Sequence, residues 1–304
     1  MARAGNTAAR RVAMVDLILG YRCNSNCMFC TSTTDLRAIN MTTAEAIAKL
    51  DDAVAAHRPA KVRFGGGEPT IRKDLPALVA FARGLGVEVV TVQTNGYMLA
   101  YRDYLARLKD NGLSGVNISL RGAGRATVER LTGITGSHGH AAAAIDHVLA
   151  LGLPLELDVL VTKPALAELP ALTADLLSRG DVAINYWYVS IEGRAAEHPG
   201  ALVPTMTAAA RALARLFDMH PGARLRAFYV PYCFLPRHRE RVWHPLRENT
   251  LVITPGDEFM LEKGRVDIGT KPARCRGCRL YRTCFGVRLN YLARFGDGEI
   301  RPLR

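Results

Sequence analysis

The sequence predicts an α/β fold: a partial barrel of six strand–helix units followed by a small cysteine-rich domain. Three observations predict it. Short apolar runs alternate with stretches of helical period through the first 190 residues. Glycine- or cysteine-rich turns recur directly after the apolar runs. Seven cysteines fall into two sets, three between residues 23 and 30 and four from residue 233 onward.

Taken in order, the expected strands are VAMVDLIL (12 to 19), KVRF (61 to 64), VEVVTVQ (87 to 93), GVNISL (115 to 120), LELDVLV (155 to 161) and VAINYWYV (182 to 189). Between them TTAEAIAKLDDAVAAH, LPALVAFARGL, YRDYLARLKDNG, HAAAAIDHVLALG and LAELPALTADLLSRG carry helical patterns, several ending at Gly, as helix C-termini often do. Repeated strand–helix units imply a parallel sheet with right-handed crossovers. Six units make an incomplete, TIM-like barrel, whose functional residues collect on loops after the carboxyl ends of the strands. The unusual stretches sit at those ends: YRCNSNCMFC after strand one, GGGEPT after strand two, TNG after strand three, SLRGAG after strand four. Beyond Val189 the alternation stops. SIEGRAAEHPG reads as a loop, PTMTAAARALARLFDMH as one more helix, and short strand-like pieces begin at Arg224, which places a boundary near residue 220 and divides the chain into 1–220 and 221–304. SHGH, with His138 and His140, reads as a solvated loop between helices. YWY at 186 to 188 should alternate between barrel interior and helix layer, and Tyr97 should line the barrel mouth.

Composition restricts the setting. No apolar stretch is long enough to span a bilayer, and MARAGNTAARR lacks the apolar core of a signal peptide, so a cytoplasmic location without membrane partners is expected. Thiols stay reduced there, and an odd number of cysteines argues for metal or redox chemistry over a disulfide framework. The net charge is +12, and residues 221–304 carry 17 Lys or Arg against 8 Asp or Glu, 17 − 8 = +9. Such charge attracts an anionic partner or compensates clustered thiolates. No basic helix interleaved with aromatics points to nucleic acid.

Three cysteines at C-x-x-x-C-x-x-C spacing on one turn, Cys23, Cys27 and Cys30, suit a [4Fe-4S] cube in which each thiolate binds one iron and the fourth iron stays open. Structural zinc needs a fourth ligand close by, which Asn24, Ser25 and Asn26 do not supply. The glycines of GGGEPT permit close approach of backbone to a neighbour, and the Glu68 carboxylate is an acceptor for an ammonium group.

With its aromatic residue before the last cysteine, CNSNCMFC resembles the signature of radical S-adenosylmethionine (SAM) enzymes, and GGGEP resembles that family's GGE motif. The resemblance covers residues 12 to 190. It implies that the open iron chelates the methionine end of SAM, that an electron from the cluster cleaves a carbon–sulfur bond, and that the 5'-deoxyadenosyl radical takes a hydrogen atom from substrate. It also implies that Gly66, Gly67 and Glu68 hold the methionine moiety, that Phe29 and Val189 lie beside the adenine, and that Ser119 contacts the ribose. VRFGGGEP is similar to a segment of the molybdopterin-precursor GTP cyclases, which makes Arg63, Thr94 and Lys163 candidate substrate contacts; the ending EIRPLR lacks the Gly-Gly tail of those cyclases.

Cys275, Cys278 and Cys284, in KPARCRGCRLYRTCFG, resemble the auxiliary-cluster region of the twitch and SPASM groups, and Cys233 completes four thiolates. Four thiolates close a second [4Fe-4S] cube; the same set also suits zinc. The expectation is therefore a radical SAM enzyme with two clusters, supplied with electrons by a donor such as flavodoxin or ferredoxin. Its expected substrate is a small polar metabolite: a sugar, an aminocyclitol or a nucleotide-like molecule. Two alternatives stand beside it, a maturase of ribosomally made peptides and a non-catalytic iron–sulfur or zinc redox-sensing protein.

Overall fold

Among the described residues, β-branched runs interrupted by Gly and Pro turns fold into ten strands of one sheet. The computed structural model describes residues 12–263 and 269–304. The segment MARAGNTAARR, read above for a signal peptide, lies outside the described residues. The six expected strands are present as β1 (Met14–Ile18), β2 (Lys61–Gly65), β3 (Val89–Thr94), β4 (Gly115–Leu120), β5 (Leu155–Val161) and β6 (Ala183–Tyr188). They pair in parallel, each with the next. Helices α1 (Thr43–His57), α2 (Leu75–Gly84), α3 (Arg102–Asp110), α4 (Arg125–Thr132), α5 (Ser137–Ala150) and α6 (Leu169–Arg179) connect them. A one-turn α7 (Pro199–Leu202) and α8 (Met206–Met219) follow β6.

The sheet does not stop at six strands. β7 (Leu225–Phe228) continues it in parallel beyond β6, and β8 (Val242–Trp243) beyond β7. On the opposite edge β9 (Thr250–Ile253) pairs in parallel with β1, and β10 (Glu258–Met260) closes that edge antiparallel to β9. The expected boundary near residue 220 falls in the turn between α8 and β7, and strands from both sides of it share this sheet. The final helix, α9 (Leu289–Phe295), lies in the cysteine-rich segment.

One local expectation changes, and one helix appears for which the sequence carried no expectation. The stretch after SLRGAG is a helix, α4, whose Val128 and Leu131 are buried and whose C-terminus is capped by Gly133 in the left-handed region, φ 68°. SHGH is the first turn of α5, and His138 Nε2 meets the Ala123 carbonyl at 2.8 Å. Eight polar-rich residues bracketed by glycines carry only a weak helical signal in the sequence.

The pleat sorts the two faces. Val62, Phe64, Val90, Val92, Ile118, Leu157, Val159 and Ile184 are fully buried, and they alternate with Arg63, Gln93, Asn117, Asp158 and Asn185 on the other face. Parallel sheets covered on both sides are normally apolar on both. Here the face away from the helices is polar, as a binding lumen requires. YWY follows the expected alternation: Tyr186 donates or accepts a hydrogen bond with Thr173 of α6 at 2.6 Å, the Tyr188 hydroxyl donates to the Pro204 carbonyl, and Trp187 stacks on Phe228 with ring centroids 4.3 Å apart.

Candidate functional site

The cysteine loop leaves β1 through Gly20, and its base is closed where Tyr21 N donates to the Ile39 carbonyl and Met41 N to the Leu19 carbonyl. Three neighbouring strand-end loops then hold it. Gly67 N donates to the Gly20 carbonyl at 2.8 Å and Glu68 N to the Arg22 carbonyl at 2.9 Å. Asn95 Nδ2, from the loop after β3, donates to Asn24 Oδ1 at 2.8 Å. Asn26 N and Met28 N donate to the Thr132 and Leu131 carbonyls of α4. Those carbonyls end a helix and have no partner within it, so the loop satisfies the helix as the helix positions the loop. From the loop after β6, Arg194 N donates to the Cys30 carbonyl at 2.9 Å.

This packing gives the glycines a definite task. A Cβ on Gly66, which sits at φ 121°, would overlap the Gly20 carbonyl, and one on Gly67 would overlap the Arg22 carbonyl. Their bareness lets β2's exit loop lie against the chain entering the cysteines. Glu68 locks the same junction. Its Oε1 accepts from Thr70 N, Thr70 Oγ1 and Thr94 Oγ1, and its Oε2 accepts from Asn95 N at 2.7 Å. Three of these donors crowd Oε1, whereas Oε2 takes one and keeps an acceptor site, and Thr94, expected at the substrate, is one of the groups that fix the carboxylate. Burial pushes the Glu68 carboxyl above its ordinary range, although those hydrogen bonds pull it down.

The thiols occupy a cationic surround. Burial lifts Cys23 to about 11, and the Cys27 thiol is raised by burial while Arg121, Arg194 and Arg37 oppose that rise. Arg121 also lies over the Phe29 ring at 4.6 Å. These three arginines went unrecognised in the sequence, although Arg121 stands in SLRGAG and Arg194 in SIEGRAAEHPG. Among the described residues no group of three or more His, Cys, Asp or Glu side chains is arranged to hold a metal ion. The donor set itself, three free, half-buried thiols on one turn, fits a cube that binds each thiolate through a separate iron. Ser119, at the end of β4, lines a cavity of about 340 Å³ together with Tyr97, Arg121 and His138. Val189 is only 2% exposed.

The expected anion site is not assembled. Arg63 directs Nε and Nη2 to the two carboxylate oxygens of Asp16, at 3.1 and 2.6 Å, across the β1–β2 register in which the two residues are partners. Its charge is neutralised inside the lumen. Lys163 is exposed, and its Nζ donates to the Gly200 carbonyl at 3.2 Å. Deeper in, Asp158 accepts from Asn185 Nδ2 at 3.1 Å and Gln93 Nε2 at 3.2 Å.

The second cysteine set comes together from distant positions: Cys233, Cys275, Cys278 and Cys284 line one small cavity with Lys271 and Tyr281. An antiparallel bridge between Thr270 and Val287 closes this loop, and a Cβ on Gly286, φ 86°, would overlap the Thr270 carbonyl. Burial lifts Cys233 to about 11, with the neighbouring Cys284 and Cys275 adding to the rise. Burial also raises Cys275, with Cys284 and Cys278 adding to the rise.

Comparison with known proteins agrees with this geometry. Residues 17–164 match the model of the Radical SAM superfamily. An Fe-coproporphyrin III synthase of Methanosarcina barkeri is 34% identical over 176 residues, 57% of this chain and 43% of that protein. A PqqA peptide cyclase of Rhodopseudomonas palustris is 32% identical over 199 residues, 62% of this chain and 50% of that one. A probable GTP 3',8-cyclase of Methanopyrus kandleri is 32% identical over 168 residues, 55% and 53% of the two chains. The chain thus spans about half the length of the curated relatives it matches. Among solved structures, Streptococcus suis SuiB bound to S-adenosylmethionine shares the fold with a TM-score of 0.67 at 13% identity, covering 92% of this chain and 74% of that one. The structure of anSMEcpe with bound AdoMet and Cp18Cys peptide gives a TM-score of 0.58 at 14% identity, covering 84% and 75%. Among the described residues no helix is long and apolar enough to cross a membrane.

Proposed function

Starting from residues 17–164 as a radical SAM domain, we propose that this chain is an enzyme that cleaves SAM reductively and abstracts a hydrogen atom from a polar substrate held in the lumen. The observation that carries it is the junction at the strand ends, where the loops after β2, β3 and β6 and the end of α4 converge on Cys23, Cys27 and Cys30. A [4Fe-4S] cluster bound by those thiols would supply the electron that splits SAM into methionine and a 5'-deoxyadenosyl radical. The chain's own residues fix the loop, surround it with Arg37, Arg121 and Arg194, and present Phe29 beneath the Arg121 guanidinium. Gly66, Gly67 and Ser119 remain the proposed backbone and side-chain contacts to SAM. The four C-terminal thiols would hold an auxiliary [4Fe-4S] cluster, and an external protein such as flavodoxin or ferredoxin would deliver electrons.

The polar lumen, with Gln93, Asn117, Asp158 and Asn185 on its wall, favours a small polar metabolite. A peptide substrate is the second reading, favoured by the match to PqqA peptide cyclase and by the fold shared with SuiB and anSMEcpe. Anaerobically reconstituted, reduced protein should convert SAM to 5'-deoxyadenosine and methionine and contain about eight irons per chain. Absence of both products would remove the enzymatic reading. About four irons with one zinc would remove the second cluster alone.

A further inference from the structure

Arg288 stands apart from the arginines around it. Its guanidinium carbon lies 3.6 Å from the centre of the Tyr229 ring, and its Nε and Nη1 atoms are buried with no hydrogen-bond partner among the described residues. Stacking on an aromatic face attracts the cation but occupies none of its N–H donors, which radiate in the plane of the group. A buried guanidinium N–H without an acceptor is costly, and native structures pair such groups.

The surroundings identify where this donor sits. Tyr229 directly follows β7 and His244 directly follows β8, so both stand at carboxyl ends of strands, the side of a barrel on which ligands bind. His244 stacks on Phe285 at 3.8 Å, Tyr229 meets His244 edge-on at 5.0 Å, and Trp187 of the lumen face lies 5.6 Å from Tyr229. Tyr229 holds a left-handed backbone, φ 61°, at a residue with a bulky side chain. Strain of this kind concentrates at binding and catalytic sites. Two residues beyond Arg288, Asn290 donates to Glu192 Oε1 at 3.3 Å, in the loop whose Arg194 holds the Cys30 carbonyl. Arg288 therefore stands on a wall connected to the cysteine loop. The cavity beside it, whose lining includes Tyr229, Trp243, His244, Phe285 and Arg288 together with Cys284 of the second thiol set, has a volume of about 20 Å³. That is room for one water-sized group.

We propose that Arg288 is the specificity-determining residue of the substrate site and recognises a carboxylate on the substrate at the ends of β7 and β8. This rests on the reading of the chain as a radical SAM enzyme and replaces Arg63, whose charge Asp16 already neutralises, as the residue that receives an anion. A carboxylate suits the site because it is planar and slides one oxygen into a narrow slot, while the aromatic walls keep water from screening the pair.

The test uses the two tryptophans of the chain, Trp187 and Trp243, both of which border this wall. Reconstituted protein is titrated with sodium acetate at constant ionic strength, balanced by chloride, while tryptophan fluorescence is followed. The parent should show a saturating change, and Arg288→Gln should move its midpoint up roughly 10- to 150-fold, the loss of one charge-assisted hydrogen-bonding group. Arg288→Lys, which keeps the charge and stem but not the planar fork, should fall between them and reads the site even if the Gln variant does not fold. No saturation in the parent, equal effects of acetate and phosphate, or unchanged midpoints in the variants would overturn the proposal. The same preparations are assayed for 5'-deoxyadenosine. Acetate saturation without SAM cleavage would sink the enzymatic reading and leave the carboxylate site; SAM cleavage without acetate saturation would do the reverse.

Discussion

Asp158 is a carboxyl whose environment opposes its charge. Burial raises its pKa above the ordinary range, against hydrogen bonding from Asn185 and the charge of Arg63; the Trp187 N–H lies toward it without completing a hydrogen bond. A carboxyl raised in the folded state binds its proton more tightly there than in the unfolded chain. Its contribution to stability is therefore present at low pH and lost as pH rises from about 4 through the raised value. Asp158→Asn removes that loss, and the Asn185 and Gln93 amides can turn to face the new amide. Urea midpoints measured from pH 5 to pH 8 should shift in favour of the variant, relative to the parent, as pH rises. A parent that gains on the variant over that range would show the carboxylate to be the favoured form. Glu68 differs in kind, since backbone N–H groups of Thr70 and Asn95 demand an acceptor on both of its oxygens.

Between elements, the Asp16–Arg63 pair ties β1 to β2 from inside the barrel. Both side chains are largely buried, at 13% and 20% exposure. A buried bidentate pair contributes little net stability because both charges must be stripped of water, yet removing one partner strands the other. Asp16→Ala should lower unfolding free energy by about 3 to 5 kcal/mol, and the double variant Asp16→Leu, Arg63→Met should lower it by less than Asp16→Ala alone. Denaturant unfolding of the three proteins decides this. Additive losses in the double variant would mean that the two residues act separately and that Arg63 does have another partner.

At the scale of the whole molecule, the last quarter of the chain completes the barrel sheet on both edges. β9 pairs with β1 from Met14↔Thr250 to Leu17↔Ile253, while β7 and β8 cover β6. A protein ending at Arg224 would expose the ladder groups of β1 and β6. It should not unfold cooperatively and should associate through its open edges. Melting followed by circular dichroism, with size-exclusion chromatography, tests this. A monomeric truncated chain with the melting temperature of the full chain would make the C-terminal strands accessory to the barrel.

The sequence by itself determined the six-strand alternation, the strand-end position of each unusual loop and the grouping of Cys23, Cys27 and Cys30, because all three are local: period-two and period-3.6 patterning and short spacing act within one turn or one strand. Only tertiary structure decided the rest. Short strands such as Thr250–Ile253 carry too little pattern to reveal that their partner lies more than 230 residues earlier. The gathering of Cys233 with Cys275, Cys278 and Cys284 was expected from the family resemblance and not from local pattern, since a cysteine 42 positions away from the next is silent about its direction. Motif residues carry the converse ambiguity. Arg63, Thr94 and Glu68 have the charge and polarity of ligand contacts, but a polar side chain reads the same in sequence whether it faces a ligand or a neighbour. The fold pairs those three with Asp16 and with one another and leaves Arg288, a residue in no motif, with Nε and Nη1 unmatched among the described residues.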